Sequence, residues 1–329
     1  MISSSISNKI LQWYDNNKRD LPWRKPKSSQ QSQYFTLVSE IMLQQTQVKT
    51  VVPYFTKFTE ELPNFTKLSN VSEKKLYKLW EGLGYYSRAS NLRKTANIIV
   101  DKYNKKLPNN LKELKELPGI GDYTSRAILS LEFNKKVIPL DGNIERLLKR
   151  VLLLKKPNEI SKTYLMKKVD FFGYSHRQRD YVQSLMELGA LVCKPIDPQC
   201  MNCPLTKYCK SFKCKDFKIK KKGKKNKVKY FESKVYIDKN KLYLVKNNKF
   251  NFLKDFLIFP MCEINKKKFT SSKLKKTMIK LSNLNMKIVI NKSKNFPNGK
   301  GLVLNSQKID KIILPTFTKK IYKMSQGLK

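Results

Sequence analysis

Four cysteines, Cys193, Cys200, Cys203 and Cys209, fall within one short run, C-KPIDPQ-C-MN-C-PLTKY-C, with intervals of six, two and five residues. In a reducing compartment, thiols this dense point to a shared metal, either tetrahedral zinc or an iron–sulfur cluster. Structural zinc usually takes its ligands as two close pairs from separate knuckles, and there is no second knuckle here. A polynuclear cluster needs ligands fanned around it, so the uneven spacing favours [4Fe–4S]. The plainer alternative is a disulfide-stapled loop. Cys214 and Cys262 read as unpaired thiols.

A second group centres on Leu117-Pro118-Gly119-Ile120-Gly121-Asp122-Tyr123-Thr124. Apolar periodicity on both sides predicts a hairpin between two helices, with Asp122 as the N-cap of the second. Gly119 and Gly121 let the backbone turn with its N–H groups outward beside a helix N-terminus, an arrangement that binds phosphate. An ordinary helix–helix turn is the alternative. The Leu-Pro lead-in and the cysteines downstream favour a DNA-binding helix–hairpin–helix.

Two carboxylates complete the set. Glu40, in Ser39–Val48 (SEIMLQQTQV), shares a helix face with Leu37, Leu43 and Gln44. Apolar surroundings disfavour its charged form, raising its pKa toward the range useful for a general acid. Asp141, in Pro139–Arg146 (PLDGNIER), opens an apolar helix at a Gly turn. Singly, each reads as a structural carboxylate or a cap. As a pair, they are the minimum equipment for hydrolysing a glycosidic bond through an oxocarbenium-like transition state.

The elements that must position these groups are mostly helical over 8–210. Apolar residues recur at helical spacing in Ile10–Tyr14, Leu37–Val48, Leu76–Leu83, Ala89–Val100, Tyr123–Leu131, Ile144–Leu154 and Val182–Val192. A lysine-dense stretch over 212–229 reads as an interdomain linker, because like charges repel and keep a chain extended. Beyond Tyr230 the period changes to two. Lys234–Ile237 and Lys241–Val245 flank a turn, with further strands at Phe256–Phe259 and Met286–Ile290. The expected organisation is a helical catalytic domain over 1–211, the linker, and a separate α+β domain over 230–329.

The 329 residues, 40% apolar, suffice for two cores. Neither an apolar leader nor a membrane-length apolar run is present, so a cytoplasmic, nucleoid-associated protein is expected, or a nuclear or organellar one if the source is eukaryotic. The net charge of +44 suggests a polyanionic partner. Lysine far outnumbers arginine, and Asn, Ile, Tyr and Phe are abundant, as in chains written by AT-rich genomes. Part of that charge therefore reflects codon drift.

Together these residues resemble the adenine DNA glycosylases of the MutY type, within the helix–hairpin–helix glycosylase superfamily. The likeness runs almost continuously from Leu11 to Cys209 and includes LPWR (Leu21–Arg24), VVPYF (Val51–Phe55), LWEGLGYYSRASNL (Leu79–Leu92) and MELGALVC (Met186–Cys193). The resemblance implies that Glu40 protonates N7 of a flipped-out adenine. It implies that Asp141 stays anionic against the sugar cation, while Asn143 and Tyr123 position the reacting groups. Arg24, Gln45 and Gln183 match positions lining the adenine pocket, and Tyr85 matches an aromatic that wedges beside 8-oxoguanine in the opposite strand. The implied partner is duplex DNA carrying A:8-oxoguanine or A:G mispairs, bound by a monomer.

The alternative, an endonuclease III-type lyase, needs a lysine just after the hairpin glycines to form a Schiff base, and Asp122-Tyr123-Thr124 supplies none. The C-terminal domain distantly resembles the Nudix-like lesion-reading domain of the family, without the hydrolase box. Leu281-Ser282-Asn283 stands where the family usually carries Phe-Ser-His. By that match Ser282 is left to hydrogen-bond the lesion, and weakened selectivity for 8-oxoguanine over guanine is expected. His176, the sole histidine, reads as a surface residue.

Overall fold

The computed structural model describes residues 2–154, 160–217, 227–281, 284–297, 299, 301–312 and 314–326. The helices are α1 (Ile2–Asn17), α2 (Ser29–Leu43), α3 (Val48–Glu61), α4 (Phe65–Ser69), α5 (Glu73–Trp80), α6 (Tyr86–Lys102), α7 (Leu111–Glu116), α8 (Asp122–Phe133), α9 (Gly142–Val151), α10 (Lys162–Lys168), α11 (Gln178–Glu187), α12 (Lys210–Lys213), α13 (Lys266–Ser271) and α14 (Thr316–Gln326). Among the described residues no helix is long and apolar enough to cross a membrane. The chain forms two compact units, one of Met1–Ser72 with Ser87–Lys222, the other of Glu73–Tyr86 with Gly223–Lys329. The segment 73–86, which chain order places among the catalytic helices, thus groups with the C-terminal region.

Helix starts in the first unit follow capping chemistry. Ser28, Asn64, Asn110, Asp141 and Ser161 each accept a backbone N–H from the first turn of α2, α4, α7, α9 and α10. Helix α2 is buried almost all round, including Tyr34, Leu37, Val38, Ile41 and Met42, and so runs through the interior. It carries Ser39 and Glu40 inside with it. The apolar run Leu37–Val48 is not one helix. Helix α2 stops at Leu43, where Arg88 Nη1 takes the carbonyls of Ile41 (3.0 Å), Met42 (2.8 Å) and Gln44 (2.7 Å). Gln45 then turns the chain at φ 59° before α3. Ile6 and Ile10 of α1, Ile144 and Leu147 of α9, and Val182 and Leu185 of α11 share one core. The apolar run Val182–Val192 is likewise divided: α11 ends at Glu187 and Leu188–Val192 forms a wider π-helical turn.

In the second unit, described strands β1 (Lys227–Asp238), β2 (Lys241–Lys246), β3 (Leu257–Ile258), β4 (Met261–Ile264), β5 (Lys275–Leu281), β6 (Leu284–Ser293) and β7 (Leu302–Asn305) form a mixed sheet of order β3-β2-β1-β6-β5, with β4 on β1 and β7 on β2. The expected hairpin is present, with Ile237 opposite Leu242 and Asp238 opposite Lys241. Strands β1 and β6 pair in parallel from Lys227↔Leu284 to Tyr236↔Ser293. Alternate residues Phe231 and Val235 enter a core shared with Ile288, Ile290 and, from α14, Phe317 and Ile321. At the two ends of the expected linker, Phe212 and Lys213 belong to α12 and Lys227, Val228 and Lys229 belong to β1. Residues 218–226 lie outside the described residues, as does Ser282.

Candidate active site

Glu40 and Asp141 meet on one cavity of about 430 Å³ in the first unit, lined also by Tyr123, Asn143, Arg24, Gln45 and Gln183. Its size suits a small ligand such as a purine base. Glu40 is buried, and loss of water raises its carboxyl from 4.5 to about 7. The Tyr123 hydroxyl donates to it and opposes that rise, while the Asp141 charge adds to it. Tyr123 is itself pushed well above its ordinary value by burial and by both carboxylates, so its proton stays in place.

Asp141 occupies the N-cap of α9. Its Oδ1 accepts the backbone N–H groups of Asn143 (3.0 Å) and Ile144 (2.7 Å), and its Oδ2 accepts from Asn143 Nδ2 (2.9 Å). Burial raises this carboxyl too, but those hydrogen bonds and the Arg146 charge oppose the rise. The helix N-terminus adds to that opposition. Glu40 is therefore suited to carry a proton near neutral pH, while Asp141 has three hydrogen-bond donors and the Arg146 charge favouring its anionic form.

The pocket wall rests on a second layer that the sequence did not disclose. Glu187, fully buried, accepts from Arg19 Nε (2.7 Å) and Arg24 Nη2 (2.7 Å), so Arg24 reaches the pocket already paired. Tyr14 donates to Gln183 Oε1 at 3.4 Å. Arg146 donates through Nη2 to Asn143 Oδ1 (2.9 Å) and Gly189 O (2.6 Å), and through Nε to Cys193 O (2.7 Å). The signal available for Arg146 was its place four residues after Gly142 and four before Arg150 on one basic helix stripe.

Residues 38–170 match the HhH-GPD superfamily base excision DNA repair protein family. The adenine DNA glycosylase of Buchnera aphidicola subsp. Baizongia pistaciae is 40% identical over 257 residues, covering 76% of this chain and 72% of that protein. The chain belongs to the adenine DNA glycosylase family. The human adenine DNA glycosylase is 36% identical over 219 residues, 63% of this chain and 39% of that one. Among solved structures, a thermostable thymine-DNA glycosylase aligns at TM-score 0.57 and 25% identity over 64% of this chain and 97% of its own.

The family's helix–hairpin–helix lies between α7 and α8. Gly119 has φ 82°, and a Cβ there would come within 3.0 Å of the Asn91 side chain, so glycine is required. Gly121 has an ordinary φ of −94° and open space where a Cβ would point. Asp122 is not the N-cap. Gly121 takes that position, and the Asp122 carboxylate instead pairs with Lys115 (2.7 Å) and Arg126 (3.1 Å). These two cations offset the Asp122 charge at the N-terminus of α8.

Tyr85 does not line the cavity; it lies in the second unit at φ 48° and is 41% exposed. The pair Tyr85-Tyr86 is split, since Tyr86 is buried at the start of α6. The four cysteines border a single separate cavity with Leu147, Val151 and Phe212. Burial pushes the Cys203 thiol up to about 12 and raises Cys200 and Cys209, and the neighbouring thiols raise each further. Among the described residues no three His, Cys, Asp or Glu side chains form a site for one metal ion.

Proposed function

We infer that this chain is a base excision repair DNA glycosylase that hydrolyses the N-glycosidic bond of adenine. The carrying observation is the proton-holding carboxyl of Glu40, at about 7, facing the same cavity as the capped carboxylate of Asp141. Glu40 gives its proton to N7 of a flipped-out adenine, making the base a neutral leaving group. The glycosidic electron pair leaves with the base, and Asp141 stabilises the sugar cation until water adds to it and releases a proton. Asn143 orients Asp141, and Tyr123 orients Glu40. Arg24, Gln45 and Gln183 hold the base, and the amides around Gly119 and Gly121 hold phosphate.

The substrates are A:8-oxoguanine and A:G mispairs in duplex DNA, bound by a monomer wherever the cell keeps that DNA. Tyr85 inserts beside the base opposite the adenine. Reaction stops at the abasic site, because Tyr123 occupies the place a lyase lysine would need. Cys193, Cys200, Cys203 and Cys209 fit a [4Fe–4S] cluster: all four border one cavity, lined beside them by Leu147, Val151 and Phe212. When bound, the cluster supplies structure to the loop rather than chemistry to the bond. The C-terminal sheet is a Nudix-like lesion-reading domain in which Ser282 addresses 8-oxoguanine.

Single-turnover excision from an A:8-oxoguanine duplex, with alkali as a separate step, tests this reading. Adenine release is expected without strand cleavage until alkali is added, and Glu40→Gln and Asp141→Asn are each expected to abolish release while leaving duplex binding intact. Efficient borohydride trapping of a covalent adduct would instead establish lyase chemistry.

A further inference from the structure

The turn carrying Tyr85 is wound tightly and in an uncommon hand. Gly82, Gly84 and Tyr85 have φ of 111°, 71° and 48°. For a tyrosine this left-handed conformation is strained, and it persists only where surrounding structure over-determines it. Neighbouring sequence supplies some of that structure, including Trp80 Nε1 donating to Gly84 O and the Leu83 N–H donating to Trp80 O, both at 3.1 Å. Further restraints come from residues far along the chain.

Phe256 lies against both Tyr77 (5.6 Å between ring centroids) and Tyr86 (4.5 Å), which also meet edge to face at 5.6 Å. Glu81, at the other end of the turn, pairs with Lys78 (2.9 Å) and with Lys319 of α14 (2.5 Å). Phe256 is itself held in place. The Asn247 N–H donates to Phe256 O (2.9 Å), and Asn247 Nδ2 takes the carbonyls of Phe250, Phe252 and Leu253. Rings and an ion pair therefore grip the turn on both sides of Tyr85, while the Tyr85 side chain is left 41% exposed.

We propose that Phe256 and Lys319 are positioning residues that hold the 81–86 turn so that Tyr85 projects in the left-handed conformation its insertion into DNA requires. This rests on the reading of Tyr85 given above. It gives the C-terminal region a role in excision separate from lesion reading, one that persists where Leu281 and Asn283 replace the usual residues. Tyr85 makes the insertion, and Phe256 and Lys319 touch neither base nor sugar.

The test uses the full chain, single-turnover excision from A:8-oxoguanine duplex, and fluorescence of 2-aminopurine placed next to 8-oxoguanine as a report of unstacking. Phe256→Ala is expected to lower excision on the order of tenfold and to suppress the fluorescence rise, with Phe256→Leu recovering part of both. Phe256→Ala combined with Tyr85→Ala should be no worse than Tyr85→Ala alone. Glu81→Lys and Lys319→Glu should each impair unstacking, and the swapped pair should restore it, which tests the idea even if Phe256→Ala fails to fold. Multiplying defects in the Phe256→Ala/Tyr85→Ala double variant, or no restoration by the swap, would overturn the positioning role alone. Wild-type excision by Tyr85→Ala would overturn the reading of Tyr85 and this proposal with it.

Discussion

Arg146 fixes which way Asn143 faces. Its Nη2 donates to Asn143 Oδ1 at 2.9 Å, leaving Asn143 Nδ2 to donate to Asp141 Oδ2 at 2.9 Å. The same guanidinium holds the carbonyls of Gly189 and Cys193, so one planar fork ties the proposed catalytic carboxylate to the π-helical turn and the start of the cysteine loop. Lysine keeps the charge but cannot make these bonds together. Arg146→Lys is therefore expected to lower the single-turnover excision rate by one to two orders of magnitude with little change in duplex affinity. Rate and Kd measured on the same mispaired duplex check this.

Gly189 packs closely against the same asparagine. A Cβ on it would lie 2.6 Å from Asn143 Cβ and 3.0 Å from the Asn143 backbone carbonyl carbon and oxygen. Neither backbone atom can swing away as a side-chain tip would, so α9 must shift at its N-terminus. Gly189→Ala should destabilise the fold by about 1–3 kcal/mol and cost more in excision than in Tm. Thermal unfolding beside single-turnover rates separates the two effects.

Glu40 links both activity and stability to pH, and both should fall as pH rises. Its carboxyl stands at about 7 folded against an ordinary 4.5. Between those values the unfolded chain has lost the proton that the folded chain keeps, so rising pH drains stability, and the loss is complete above about 7. Removing the charge should reverse this. Glu40→Gln is expected to be more stable than the wild type at pH 8 by a few kcal/mol, with the gap closing toward pH 4.5. Wild-type excision should fall above about pH 7 as the acid loses its proton. Denaturant unfolding of both proteins across pH, beside a pH–rate profile, checks both halves.

The two hairpin glycines should respond differently. Gly119→Ala forces a left-handed φ on alanine and crowds Asn91, so a loss of about 1–2 kcal/mol of stability is expected. Gly121→Ala has neither problem, but puts a methyl where a phosphate would approach the amides. Its fold should be unchanged, while duplex Kd weakens equally for matched and mispaired DNA. Unfolding midpoints and binding isotherms at fixed salt distinguish the two.

Much of this protein was legible in order and spacing alone. The helical pattern, the cysteine run, the hairpin glycines and both carboxylates stand in local sequence, because capping, turn geometry and apolar periodicity act over a few residues. The C-terminal hairpin at Lys239-Asn240 could be read the same way. Local sequence could not place helix ends that depend on distant partners, such as α2 stopping where Arg88 takes its last carbonyls. Nor could it show that Asp122 would yield the cap to Gly121, since the competing partner Lys115 lies on the preceding helix. The apolar face around Glu40 was legible in sequence, but only the tertiary structure buries that carboxyl deeply enough to favour a proton near neutrality. It alone brought Glu187 to Arg24 and Arg146 to Asn143. Desolvation and side-chain pairing depend on what the folded chain brings within a few ångströms, and residues 40 and 141, or 24 and 187, become neighbours only through the packing of α2 on α8 and of α11 on α1, α8 and α9.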